Sequence, residues 1–240
     1  MKKSIDLVIP VYNEQEDLPA CIEKLTAFFE IQDIHNMTII IADNASIDNT
    51  SVIGKELAKK YFNVQYVYLP QKGRGGALRK VWLTGQGNFK MYCDVDLSAD
   101  IDSIPQFIQA LEDGADIVIG SRYLPDSKVI RGLKRSILSI GYNYLLRFLF
   151  PIKFKDSQCG MKAIKKEVFE KLEPSIKDNH WFFDTELLIR ASYLGYIIKE
   201  IPVKWIEDLD SRVNIIETIV GYIKNILRMK KEFFFSHKSI

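Results

Sequence analysis

The sequence predicts an α/β protein: a mostly parallel central sheet flanked by helices, in a single domain. Two observations carry this expectation. Short apolar, β-branched runs alternate with helical stretches of about 10–15 residues through the first half of the chain, the pattern of repeated βαβ units. Polar clusters at 12–14, 43–46 and 94–96 follow three of those runs, which puts them beyond the carboxyl ends of the strands, where open α/β sheets bind ligands. With 240 residues, 47% of them hydrophobic, the chain has ample material for such a core.

Residues 5–10 (Ile-Asp-Leu-Val-Ile-Pro) read as a buried strand closed by proline. Asn13 and Glu14 follow as capping residues for a helix over 16–30. A second strand at 38–42 ends in the polar turn 43–50, which caps a helix to about residue 61, and 64–69 is a third strand. Lys72-Gly73-Arg74-Gly75-Gly76-Ala77 opens a helix through 83, and the strand at 89–93 delivers Asp94 and Asp96. Ser103 and Pro105 start a helix to about 112, before a strand at 116–120. The second half is less regular. Residues 134–150 form a helix unusually rich in bulky apolar side chains, 160–164 a strand, 183–194 a helix ended by Gly195, and 197–203 a strand. Over 213–235, Ile215, Ile216, Ile219, Val220, Ile223, Ile226 and Leu227 recur at helical spacing beside Lys224, Arg228, Lys230 and Lys231, as in a basic amphipathic helix.

Thirty-three Lys and Arg against 31 Asp and Glu leave a charge of +2, so nothing global argues for a nucleic-acid partner. Cys21, Cys93 and Cys159 lie far apart without metal-ligand spacing and suit a reducing cytoplasm. The N-terminus shows no signal-peptide core, and no apolar run reaches the ~18 residues of a membrane span.

Asp94 and Asp96 are the pair around which the chain is organised. Residues i and i+2 of an extended segment face the same way, roughly 6.5 Å apart. The two carboxylates therefore suit one hard cation, Mg²⁺ or Mn²⁺, whose other sites go to water and substrate phosphates. Gly73, Gly75 and Gly76 permit close backbone approach to a phosphate, and Lys72 and Arg74 add charge, the other reading being a plain glycine turn. The loop matches neither Gly-x-x-x-x-Gly-Lys-[Ser/Thr] nor Gly-x-Gly-x-x-Gly, which disfavours a P-loop NTPase or a dinucleotide dehydrogenase. Asp43 has the chemistry to accept a hydrogen bond from a pyrimidine ring N–H, or simply to cap a helix.

Jointly, Val-Ile-Pro-Val-Tyr-Asn-Glu (8–14), Asp43-Asn44-Ala45-Ser46, Lys-Gly-Arg-Gly-Gly-Ala (72–77), Asp94-Val95-Asp96, Gly-Ser-Arg-Tyr (120–123), Ser-Gln-Cys-Gly-Met-Lys (157–162) and Pro-Val-Lys-Trp (202–205) resemble a family 2 glycosyltransferase with a GT-A fold. The branch resembled makes polyprenyl-phosphate sugars, as dolichyl-phosphate mannose and glucose synthases do. The resemblance runs from residue 5 to about 213 and implies a catalytic domain over 1–212, with 213–240 a helix within or packed on it. It places Pro10, Tyr12, Glu14 and Asp43 around the nucleoside, and metal and diphosphate on Asp94 and Asp96. Arg122, Arg135 and Ser139 fall where that branch binds the acceptor phosphate, and Arg212 matches an arginine after the Pro-x-x-Trp segment. Asp184 stands where many members carry a catalytic carboxylate; its other reading is a helix N-terminal charge favoured by the dipole. Trp181, Phe182 and Phe183 read as a sugar platform or as core. The family often has Ser/Thr-Gly-Phe-Arg where this chain has Gln158 to Lys162, a departure at the acceptor pocket. Gly75-Gly76-Ala77 with Phe183-Asp184-Thr185-Glu186 looks more like the glucose branch and points to UDP-glucose, with GDP-mannose, UDP-GlcNAc and UDP-galactose open.

The implied reaction is in-line attack on the anomeric carbon with inversion through an oxocarbenium-like transition state. A polyprenyl monophosphate, with a second pKa near ~6, is already largely dianionic and needs no strong base. A sugar hydroxyl needs one, and Asp184 is then the first choice. Segments 137–152 and 213–235 suit a peripheral enzyme on the cytoplasmic face of a membrane, or else core packing plus a dimer contact. The expected partners are a nucleotide sugar, a polyprenyl phosphate and the membrane surface, without nucleic acid; a homo-oligomer or a small membrane-protein partner stays open. The competing readings are a soluble transferase acting on a glycan hydroxyl and a non-catalytic sugar-nucleotide-binding module, the latter disfavoured by intact Asp94 and Asp96. A nucleotide-sugar pyrophosphorylase is disfavoured because no Gly-x-Gly-x-Arg loop follows the first strand.

Overall fold

The structure is a computed structural model that describes residues 3–206 and 215–236. The first half runs β1 (Ile5–Val11), α1 (Asp17–Ile31), β2 (Met37–Asn44), α2 (Thr50–Lys60), β3 (Val64–Leu69), α3 (Arg74–Thr84), β4 (Phe89–Cys93), α4 (Ile104–Glu112) and β5 (Ile117–Ser121). The second half adds β6 (Lys128–Ile130), α5 (Leu133–Leu149), β7 (Met161–Lys165), α6 (Lys166–Leu172), α7 (Phe183–Tyr193), β8 (Ile198–Pro202), β9 (Lys204–Ile206) and α8 (Ile215–Ser236). Each expected strand and helix forms, with ends within two residues. The sequence reading lacked β6, β9 and α6, which are too short to show a period of their own.

Seven strands form one sheet in the order β3-β2-β1-β4-β7-β5-β8. It is parallel except for β7, which runs antiparallel to both β4 and β5. Helices cover both faces, which is why β1, β2, β4 and β5 read as nearly continuous apolar runs. Leu18, Ile22, Leu25 and Phe29 of α1 and Ile104, Phe107 and Leu111 of α4 fill one side. On the other, Leu78, Val81 and Trp82 of α3 meet Phe169 of α6, Leu187 and Leu188 of α7, and Ile226 and Met229 of α8.

Two local expectations need correction. Pro10 does not close β1, which continues to place Val11 opposite Asp43. Asn13 does not cap α1: it takes a left-handed backbone (φ 57°), and its Oδ1 accepts the Ile47 N–H at 2.9 Å, joining the turn after β1 to the turn after β2.

Helix α5 docks through Leu146, Tyr142 and Leu149 but leaves an apolar stripe outside. Its inner face carries Ser139 and Asn143, whose polar groups bond to Tyr123 and Ser157. Leu133, Ile137, Ile140, Tyr144 and Phe148, spaced along one stripe, are exposed, Phe148 to 87%. Helix α8 docks through Tyr222, Ile226, Met229 and Phe233, while Ile219, Ile223 and Leu227 face outward. Ions secure that docking. Glu186 of α7, with no exposed side-chain surface, pairs with Arg190 at 2.6 Å and with Arg228 of α8 at 2.8 Å, and Glu232 bridges Arg190 and Lys177.

Candidate active site

The carboxyl ends of β1, β2 and β4 adjoin in the sheet, and the turn after each holds a non-glycine residue in the left-handed region: Asn13, Ala45 and Leu97. Such backbone costs on the order of 1–3 kcal/mol per residue and persists where surrounding bonds hold it. The first two turns are cross-stitched, Asn13 N–H donating to Ser46 Oγ at 3.0 Å and Glu14 N–H to Thr50 Oγ1 at 2.8 Å. Asp43 is wholly buried between them. Its Oδ1 accepts the Ser46 N–H at 2.9 Å and its Oδ2 the Tyr66 hydroxyl at 2.6 Å. Burial, and then the Asp43 carboxylate, push the Tyr66 phenol up to about 12, so the hydroxyl stays a donor. Tyr12 is half-buried with the Lys72 ammonium 3.7 Å above its ring.

Asp94 and Asp96 lie past the end of β4, in a turn closed by Leu97 N–H to Asp94 C=O at 3.1 Å. The extended geometry expected for the pair is therefore not what orients it; Leu97 bends the chain. Asp96 is exposed, and its Oδ1 accepts the Ser98 N–H. Asp94 faces inward, one carboxylate oxygen on Arg74 Nη2 at 2.7 Å. The other rests against Gly160 so closely that a Cβ there would stand 2.0 Å away.

Arg74, the first residue of α3, is the hub. Its Nη1 reaches Asp184 Oδ2 at 2.8 Å, and the guanidinium lies 4.7 Å from the Tyr92 ring centroid and 5.2 Å from that of Trp181. The other oxygen of Asp184 accepts the Tyr92 hydroxyl at 2.7 Å and has Lys162 Nζ at 3.4 Å. Burial alone would push the Asp184 carboxyl up, but the Lys162 and Arg74 charges and their neighbours' hydrogen bonds hold it below the usual carboxylate range. Arg74, Asp94, Gln158, Trp181, Asp184 and Tyr222 together line a cleft.

Gly73 and Gly75, read as a phosphate cradle, are required by packing. A Cβ on Gly73 would meet the Asn179 carbonyl at 2.6 Å, and one on Gly75 would meet Phe183 Cβ at 2.5 Å. The aromatic trio divides: Phe182 and Phe183 are core, while Trp181 is 44% exposed at the cleft. Arg122 is already engaged. Its guanidinium gives Nε and Nη2 to the two oxygens of buried Asp156 at 2.7 and 2.9 Å and lies over Trp205, so a carboxylate stands where a phosphate would bind. Ser139 is buried and accepts the Tyr123 hydroxyl at 2.7 Å. Arg135 sits half-buried in the first turn of α5, and Arg212 lies outside the described residues.

Tyr92 and Tyr222 belong to this site without having been singled out for it, and Gln158, Gly160 and Lys162 entered the sequence reading only as a departure at the acceptor pocket. Lys162 carried a signal: a lysine inside a short apolar strand must find a partner if the strand is buried. Tyr92 and Tyr222 carried none.

The model of glycosyl transferase family 2 matches residues 6–173. The chain belongs to that family. Glycosyltransferase AglD of Haloferax volcanii is 33% identical over 230 residues, covering 93% of this chain but 36% of AglD. The dolichyl-phosphate beta-glucosyltransferase of Dictyostelium discoideum is 28% identical over 240 residues, covering 94% of this chain and 73% of that protein. This chain thus spans about a third of one relative and under three quarters of the other. Among solved structures, glucosyl-3-phosphoglycerate synthase of Mycobacterium tuberculosis in complex with Mn²⁺ and uridine-diphosphate-glucose superposes with a TM-score of 0.69 at 17% identity, covering 95% of this chain and 79% of that one. The family 2 chain therefore has the GT-A fold.

Proposed function

We propose that the chain is an inverting glycosyltransferase that moves a sugar, glucose from UDP-glucose as first choice, onto a polyprenyl monophosphate at the cytoplasmic face of a membrane. The observation that carries the acceptor class is the engagement of Asp184. A hydroxyl acceptor needs a carboxylate able to take its proton, and both oxygens of this buried one are held by Arg74, Tyr92 and Lys162. A phosphate monoester arrives with that proton already lost. The relatives named as dolichyl-phosphate beta-glucosyltransferases support the same acceptor, and the solved neighbour holding Mn²⁺ and uridine-diphosphate-glucose supports the donor.

Asp94 and Asp96 fit a divalent cation: hard oxygen donors, with a positive group already drawn to Asp94. Mg²⁺ and Mn²⁺ commonly take one or two carboxylates and leave the remaining sites to substrate phosphates. Among the described residues no third His, Cys, Asp or Glu joins them. Once bound, the ion would supply Lewis-acid stabilisation of the departing diphosphate. Pro10, Tyr12, Glu14 and the Asp43 turn form the nucleoside side, with Lys72 over Tyr12. Arg135, Ser139 and Arg212 orient the acceptor phosphate, while Arg122 acts one step back, its pair with Asp156 fixing the chain after β5. The apolar stripe of α5 seats on the lipid, and residues 1–212 work as one catalytic unit with the helix that follows.

The test incubates a panel of nucleotide sugars with polyprenyl phosphate and, separately, with glycan acceptors. A lipid-extractable glucosylated product is expected from UDP-glucose alone. Arg135→Ala should raise the acceptor KM by on the order of 10- to 150-fold, from a charge-assisted contact of about 1.5–3 kcal/mol, with the donor KM unchanged. Transfer to a glycan hydroxyl and none to the lipid would replace this reading with the hydroxyl-acceptor enzyme.

A further inference from the structure

Arg74 occupies the place at Asp94 that a metal ion needs. Its Nη2 lies 2.7 Å from Asp94 Oδ1, and Asp94 Oδ2 is pressed against Gly160. One carboxylate oxygen is thus held by a cation and the other lies beside Gly160, with the Asp94 side chain 31% exposed. Two cations, Arg74 and Lys162, face two carboxylates, Asp94 and Asp184, so this cluster, buried except for Asp94, is balanced as it stands. A divalent ion arriving while Arg74 stayed would set like charges side by side in a low dielectric, where repulsion is strong.

We infer that Arg74 is a displaceable counter-cation that keeps Asp94 closed to metal until a nucleoside diphosphate arrives to receive its guanidinium. The inference rests on the reading of Asp94 and Asp96 as metal ligands. Arg74 gives Asp94 a single N–H, from Nη2, while Nη1 stays on Asp184; a diphosphate offers that freed N–H an anionic oxygen like the one it leaves, so no charge is stranded by the exchange. The Asp184 contact at 2.8 Å and the flanking rings of Tyr92 and Trp181 limit the movement to a swing within the cleft. Metal and nucleotide affinities are then coupled through one side chain, and linkage makes the coupling reciprocal. This role has a sign that a plain phosphate contact lacks: removing Arg74 weakens nucleotide binding yet strengthens metal binding.

The experiment measures Mn²⁺ binding by electron paramagnetic resonance on the full chain, with and without UDP, in the wild type, Arg74→Gln and Arg74→Lys. Without UDP, the Gln variant should bind Mn²⁺ on the order of tenfold more tightly than wild type. The enhancement of Mn²⁺ affinity by UDP should shrink by a similar factor, and the Lys variant, which keeps the charge but not the fork, should gain less. An unchanged or weaker UDP-free Mn²⁺ affinity in a Gln variant that melts cooperatively overturns the inference and leaves the metal reading standing. Should the Gln variant not fold, the Lys variant decides, since no gain there overturns the inference. A wild type that binds no Mn²⁺ even with UDP overturns both.

Discussion

Gly160→Ala tests the site's geometry with one methyl group. The three nearest neighbours of a Cβ at that position all belong to Asp94: Oδ2 at 2.0 Å, Cγ at 2.8 Å and Cβ at 3.5 Å. Because the obstacle is the end of a side chain, the carboxylate must yield while the strands stay. Reaching a tolerable contact near 3.0 Å requires a shift of about 1 Å. The main chain resists following, since Asp94 N–H donates to the Gly160 carbonyl at 3.1 Å. The motion therefore goes into the Asp94 side chain and its 2.7 Å bond to Arg74, a charged contact that contributes about 1.5–3 kcal/mol. Stability should fall by no more than that. A group displaced by 1 Å at a reacting centre can cost about 100-fold in rate, so transfer should drop by about two orders of magnitude with a shifted Mn²⁺ requirement. The assay pairs a urea melt with glucosyl transfer across a Mn²⁺ titration. Transfer within a few-fold of wild type, at an unshifted Mn²⁺ midpoint, would refute Asp94 as a working ligand.

Breaking the buried Glu186 pairs by Glu186→Gln should destabilise the chain by about 3 kcal/mol and speed amide exchange in α8, because removing one partner of a buried ion pair costs about 3–5 kcal/mol; unaltered exchange in α8 would contradict the clamp. Acid should act on the same helix. Burial raises the Glu232 carboxyl, but hydrogen bonds from Lys177 and Arg190 outweigh it and lower it from 4.5 to about 2. Its contribution is thus complete above pH 4.5 and lost as pH falls toward 2, which exchange measured along an acid series will show. Phe148→Asp, at an exposed position, should reduce sedimentation with anionic liposomes while the melt is unchanged; equal sedimentation would remove α5 as the lipid-facing element. UDP should compete with the donor far better than GDP, and equal inhibition by the two would discard the pyrimidine reading of the Asp43 turn.

The sheet was legible because strand and helix periods alternate without ambiguity and the polar turns fall at one edge. What sequence could not show is which charges meet. Arg74 joins residues 20 and 110 positions away, and the antiparallel entry of β7 between β4 and β5 brings Lys162 to Tyr92. Neither follows from a local pattern. Gly73 and Gly75 add a packing reason for glycine that the sequence did not show, since a Cβ at either would meet Asn179 or Phe183. In α5 both stripes are visible at helical spacing, Ser139 and Asn143 on one and Ile137, Ile140, Tyr144 and Phe148 on the other. Which of them faces inward depends on Tyr123 and Ser157 waiting to bond the polar one.

The engaged Asp184 and the exposed apolar stripe of α5 bear on the same question, the nature of the acceptor. An enzyme that acts on a polar glycan has no use for Leu133, Ile137, Ile140, Tyr144 and Phe148 in water, each forgoing part of the roughly 1.5–3 kcal/mol that full burial of such a side chain contributes. On a bilayer that deficit becomes attachment. Arg131 precedes the same helix and Lys134 and Arg135 lie in its first turn, at its positive dipole end, and its 17 residues span about 25 Å. A lipid whose headgroup is an anion would therefore meet cations at one end of α5 and apolar contact along its length. Its phosphate, ionised before it arrives, would on the proposed reading make a proton-accepting carboxylate superfluous and leave Asp184 to hold Arg74. On the proposed reading the two features stand or fall together: a variant that keeps α5 off the membrane should lose lipid glucosylation while UDP still binds, because donor side and acceptor side are built from different elements.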